Sequence, residues 1–186
     1  MEKLFLFKAN KAIDRPYFLS ALEGIGIDPD AVEFVAPESG LFYGDSKMIA
    51  ELEPMVQLFH DDLSISLTVL CVHQNTSFEQ KLLKEAAAYY PNRVLYATDI
   101  IMKEMSLGDY SSYKPLMNLF SSVPFELMNT AGTYLRCGLD ACLSAKMLFI
   151  HRNTFNYRLN QFITITGLDI RDYHNALLLE LYFQLA

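Results

Sequence analysis

Residues 151–160 read HRNTFNYRLN, a dense gathering of hydrogen-bonding side chains in a chain whose net charge is −7. Asn153, Asn156 and Asn160 carry amides that donate and accept at once, and Arg152 and Arg158 carry planar forks of donors. Such groups make paired bonds to base edges, whereas Thr154, Tyr157 and arginine suit phosphate oxygens. His151 stands just ahead of the run, where a capping or packing role fits better than a phosphate contact. No carboxylate occurs between His151 and Asp169, so nothing in this stretch repels a polyanion. An ordinary surface helix would carry more Lys and Glu.

Other groupings offer less. Cys71, Cys137 and Cys142 form no CxxC pair, and His60, His73, His151 and His174 lack metal-ligand spacing. Asp61–Asp62 reads as a solvated acidic pair, and "HQNTS" (73–77) as an ordinary strand-to-helix loop. No Ser/His/Asp set, Cys/His set or glycine-rich phosphate loop is found. The expectation is a protein with no catalytic residues, no metal and no cofactor.

The elements that position the polar run are four helical segments after residue 123. They span 124–138, opened by Pro124 and stopped at Gly138, then 139–149, then 153–167, closed by Gly167, and finally 172–186. In the third, Phe155, Leu159 and Phe162 fall at i, i+4 and i+7 and form an inward stripe. Ala145 is small where two helices must cross closely, and Leu148 and Ile150 supply the apolar corner. A short helix, the tight break "IHRN" and a second helix with an apolar back describe a helix-turn-helix. Arg152, Asn153, Thr154, Asn156, Tyr157, Arg158 and Asn160 then face outward, joined by Lys146 from the preceding helix. Arg152 and Arg158 have an alternative use, as internal bridges to Asp169 or Asp172.

The stretch "SAKMLFIHRNTFNYRLNQFITITGLDI" closely resembles the C-terminal helix-turn-helix of the PucR/CdaR family of bacterial transcriptional regulators. The family pattern, roughly "A..L..HRNTL.YRL..I...TGLDL", is met by Ala145, Leu148, His151, Arg152, Asn153, Thr154, Tyr157, Arg158, Leu159, Thr166, Gly167, Leu168 and Asp169. Phe155 and Phe162 depart from it by replacing smaller aliphatics. The resemblance is dense over 124–186, thinner over 93–123 and only architectural before that. It implies a sequence-specific DNA-binding regulator whose second helix enters the major groove, with Lys146 and Arg152 on phosphates.

Residues 1–92 alternate strand-like and helix-like patterns. Strands are expected at 3–9, at 31–45 as a pair around a Pro37–Gly40 turn, and at 64–73 as a buried run. Helices are expected at 14–27 with Asp14 as cap, at 46–62 with Ser46 as cap and Pro54 inside, and at 77–90 before Pro91. This βαββαβ order predicts an α+β domain, ferredoxin-like in topology, with helices on one face of a small sheet. The resemblance to the PucR/CdaR family implies that this domain is a degenerate GGDEF-like one. No GGDEF sequence occurs near "APESGLFYGD", so cyclic-dinucleotide synthesis is not expected. The predicted organisation is an α/β regulatory or dimerisation domain (1–92), a helical connector (93–123, with 93–109 as one amphipathic helix) and the DNA-binding domain (124–186).

Charge separates the parts. Residues 1–129 hold 10 Lys+Arg against 18 Asp+Glu, and residues 130–186 hold 5 against 4. A local surplus of one charge attracts DNA weakly, so two copies acting together, a homodimer or higher oligomer, are expected. The acidic part is the place for dimer contacts and for a small-molecule effector. With no long apolar run and no signal peptide, the expected setting is the cytoplasm, away from any membrane. The rival expectation is a sensor or interaction module whose helix-turn-helix docks a protein partner.

Overall fold

The computed structural model describes residues 2–186. Two compact units divide the chain, Met1–Lys103 and Glu104–Ala186.

The first unit is built on a mixed sheet in the order β2-β3-β1-β4-β5 among the described residues. Its strands are β1 (Glu2–Ala9), β2 (Glu33–Ala36), β3 (Ser39–Asp45), β4 (Leu67–Val72) and β5 (Val94–Tyr96). β1 lies antiparallel to β3 and to β4, and β5 runs parallel to β4. The first four strands have the split βαβ arrangement expected from the sequence. β5 is the difference. The stretch 93–109, read as one helix opening a connector, instead begins as a sheet strand and becomes helical only at α4 (Ala97–Ser106). Three residues are too few for a period of two to show, and "VLY" fits a helix face as well.

The helices cover both faces of the sheet, not one. α1 (Arg15–Gly24) and α2 (Ile49–Leu63) pack over Phe5, Phe7, Phe42, Val69 and Cys71. The aromatic core there is tight, with Phe7 and Phe18 centroids 4.8 Å apart and Phe18 and Phe59 5.6 Å apart. α3 (Ser77–Tyr89) packs on β1 and β4, where the alternate residues Leu4, Leu6, Leu70 and Val72 are buried as well. A strand covered on both faces reads as an unbroken apolar run, which is what LTVLCV is.

Local chemistry sets the helix starts. Asp14 caps α1 by accepting from Tyr17 N at 3.2 Å, as expected. Asp45 caps a short 3₁₀ turn by accepting from Lys47 N at 2.9 Å, and α2 begins only after that turn, with Pro54 accommodated inside it. That displaces the cap predicted at Ser46. Thr76 and Glu79 form a capping box on α3. His73, just ahead of α3, is half-buried beside Glu79, and its partial burial holds its imidazole below the ordinary histidine range while Glu79 pulls the other way.

The second unit is helical: α5 (Tyr113–Phe120), α6 (Phe125–Arg136), α7 (Ala141–Met147), α8 (Arg152–Thr166) and α9 (Tyr173–Leu185). Phe120 stacks on Phe162 at 6.2 Å and meets Tyr182 at 4.8 Å, and Tyr134 meets Phe155 at 5.6 Å. α8 is thereby clamped by its apolar back.

Candidate nucleic-acid interface

The clamp decides which side of α8 is left. Phe155, Leu159, Phe162 and Thr166 are buried at helical spacing. Packed against α6 and α7, they turn Asn153, Asn156, Tyr157 and Asn160 to solvent, all four exposed. Tyr157 stands 64% exposed although it is aromatic, so its ring is offered outward. Arg152 and Thr154 are exposed at the start of the same helix, and Lys146 is exposed near the end of α7.

The helix start is built by His151. It is the N-cap residue, and its Nδ1 accepts from Asn153 N at 3.2 Å, the capping role anticipated from its position. Gly167 ends the helix in the left-handed region at φ 72°, where a Cβ is disfavoured. Asp140 caps α7 by accepting from Cys142 N at 2.7 Å and Leu143 N at 2.9 Å. Ser144 and Ala145 are buried between the two helices, so the small residue expected at the crossing lies there.

Arg158 is the exception within the polar set. It is half-buried on the shoulder of α8 and forms an ion pair with Glu126 of α6. The internal bridge considered for it exists, but with a different partner. Asp169 is held instead by Arg171, Nη2 to Oδ2 at 2.6 Å, and Asp172 caps α9 by accepting from His174 N at 3.1 Å. Glu126 lies 32 residues from Arg158 in sequence, and no local pattern announces that pairing. Arg152 makes no ion pair of the kind considered for it among the described residues. Charge on the exposed face therefore comes from Lys146 and Arg152.

Two helices joined by the four residues 148–151, the second with a buried back and a polar, acid-free front, make a helix-turn-helix with an exposed polar face. Residues 127–185 match the profile of the PucR C-terminal helix-turn-helix domain. This segment is a PucR-type helix-turn-helix domain. The PucR domain thus runs from within α6 to the end of α9.

Parts of the chain are also similar to known proteins. The carbohydrate diacid regulator of Escherichia coli (strain K12) is 41% identical over 59 residues, 32% of this chain and 15% of that protein. An uncharacterized protein of Haemophilus influenzae is 33% identical over 96 residues, 48% of this chain and 26% of that protein. The matched part spans about a quarter or less of the length of these relatives. A looser structural likeness, with a TM-score of 0.47 and 20% identity, covers 100% of this chain and 80% of a regulator of polyketide synthase expression from Bifidobacterium adolescentis.

Among the described residues, no helix is long and apolar enough to cross a membrane.

Proposed function

We propose that the chain is a sequence-specific DNA-binding transcriptional regulator that acts in the cytoplasm as a homodimer and reads the major groove with α8. The observation that carries this reading is the exposed front of α8, Asn153, Asn156, Tyr157 and Asn160, set on a PucR-type helix-turn-helix. Asparagine amides match the donor and acceptor pair of adenine in the major groove, and Thr154 and Arg152 reach phosphates beside it. Lys146 holds a phosphate from α7, and His151 serves mainly to start the helix. With Arg158 neutralised by Glu126, one copy has few cations to offer, so affinity comes from two. The first unit is the place for the dimer contacts and for a small-molecule effector, and no catalysis is assigned to it.

Substitutions separate readout from anchoring. Asn156→Ala is expected to cost about 1–3 kcal/mol of discrimination at one base position and little elsewhere. Arg152→Ala is expected to weaken all duplexes alike and to lower the salt slope by roughly 0.9. Fluorescence anisotropy across a salt series checks both, and a sequence-selective loss for Arg152→Ala contradicts its phosphate role.

The Glu126 pairing gives a prediction of opposite sign. Glu126 is 64% exposed, and a solvent-facing pair of this kind contributes about 1 kcal/mol or less to stability. Glu126→Gln leaves the fold in place and frees Arg158 beside the DNA-facing surface. DNA affinity at low salt should rise several-fold and the salt slope should steepen by roughly 0.9. Unchanged binding would set Arg158 aside as purely internal.

One observation favours a second reading, in which the domain docks a protein: the surplus of residues 130–186 is one charge, from 5 Lys+Arg against 4 Asp+Glu. Binding to genomic DNA fragments that fades with salt supports the first reading, and its absence supports the second.

A further inference from the structure

Phe149 is the most exposed large apolar residue among those described, at 96%. Its backbone lies in the left-handed region, with φ 54°. Two bonds surround it, Phe149 N to Lys146 O at 3.1 Å and Ile150 N to Ala145 O at 3.0 Å. They are the pair that closes a helix in a Schellman motif, with Phe149 at the position glycine usually fills. Phenylalanine there carries two costs at once, a left-handed backbone and an aromatic ring in water. Unrelieved local strain of this sort is a pointer to function.

The surroundings point to a polyanion as the partner. No Asp or Glu occurs from Ala141 to Leu168. Lys146 and Arg152 lie three positions to either side of Phe149, and both are exposed. A recognition helix that enters the major groove brings the residues just ahead of it to the groove's rim, which is sugar and phosphate and not base edge.

We infer that Phe149 packs its ring on the deoxyribose faces at the rim of the groove, between the phosphates that Lys146 and Arg152 hold. The inference rests on the DNA-binding reading above and adds to it a contact made by neither charge nor base readout. Phe149 adds apolar contact with the sugars beside the recognition helix, and it carries no sequence information. The left-handed turn aims the ring outward in the same geometry that starts α8.

The test uses the full chain with Phe149→Gly and Phe149→Ala, measured by anisotropy on a selected duplex and on an unrelated one over a salt series. Melting temperature and sedimentation are followed in parallel. Phe149→Gly relieves the left-handed strain, so its melting temperature should rise by a few degrees while affinity falls. The fall should be roughly ten-fold on both duplexes, with sequence preference and salt slope unchanged because no charge is removed. A structural role would move stability and binding in the same direction. Unchanged affinity in both variants overturns the inference, as does a loss confined to one base position. A loss accompanied by dissociation of a dimer also overturns it and assigns the ring to a second copy. If the unmodified chain binds no DNA, the functional reading itself fails and the inference falls with it.

Discussion

Phe155→Ala is expected to lower the stability of the helical unit by about 3–5 kcal/mol and to abolish DNA binding with it. Phe155 is fully buried, its ring meets Tyr134 at 5.6 Å, and it sits on the first turns of α8 between α6 and α7. Removing the ring leaves a cavity where α8 is clamped, and total domain stability is only about 5–15 kcal/mol. The loss is therefore a large share of what holds α8 in place. Urea unfolding measures the first effect and anisotropy the second. Asn156→Ala, one residue further along and on the exposed face, should leave the unfolding midpoint where it is. Equal midpoints for Phe155→Ala and the unmodified chain would mean that the apolar stripe does not position the helix.

Gly40→Ala has the second large effect, in the other unit. A Cβ at Gly40 would meet the Glu33 carbonyl oxygen at 2.1 Å and the Phe7 ring at 2.6 Å. The oxygen belongs to the backbone of β2, and Phe7 is fully buried on β1 opposite Gly40, so neither can move aside cheaply. β2 must part from β3 or the Phe7 ring must leave its rotamer, for an expected cost of about 3 kcal/mol or more. Gly44 provides the contrast. Its added Cβ would meet the Met48 sulfur at 2.6 Å, the far end of a flexible side chain, so Gly44→Ala should cost much less. Thermal melts of the two variants check the difference, and equal shifts would refute it.

The exposed polar residues of α8 were legible because their signal is local. Phe155, Leu159 and Phe162 repeat at helical spacing, so burial of one side follows from period alone, and the polar residues between them must face out. His151 as cap, and Gly167 as stop, are likewise local chemistry. In the first unit the strand and helix order was legible for the same reason, from β1 through α3. What escaped is tertiary or very short. The Arg158 pairing joins positions that only the folded bundle brings together. β5 is three residues long and takes its identity from the parallel neighbour β4. The second covered face of the sheet was hinted at by LTVLCV, a run without polar alternation. Phe149, the last residue of the helical segment expected over 139–149, instead lies past the end of α7 in the left-handed turn that closes it.

Whether α8 reads DNA is tested by selecting DNA bound by the full chain from a random duplex pool at moderate salt. Enrichment of a two-fold symmetric site is expected, with half-sites about 10 base pairs apart, centre to centre. Repeated with Asn156→Ala, the selection should relax preference at one position in each half-site. A pool that stays random, with no retention above that of the unfolded chain, would contradict the claim that α8 reads DNA.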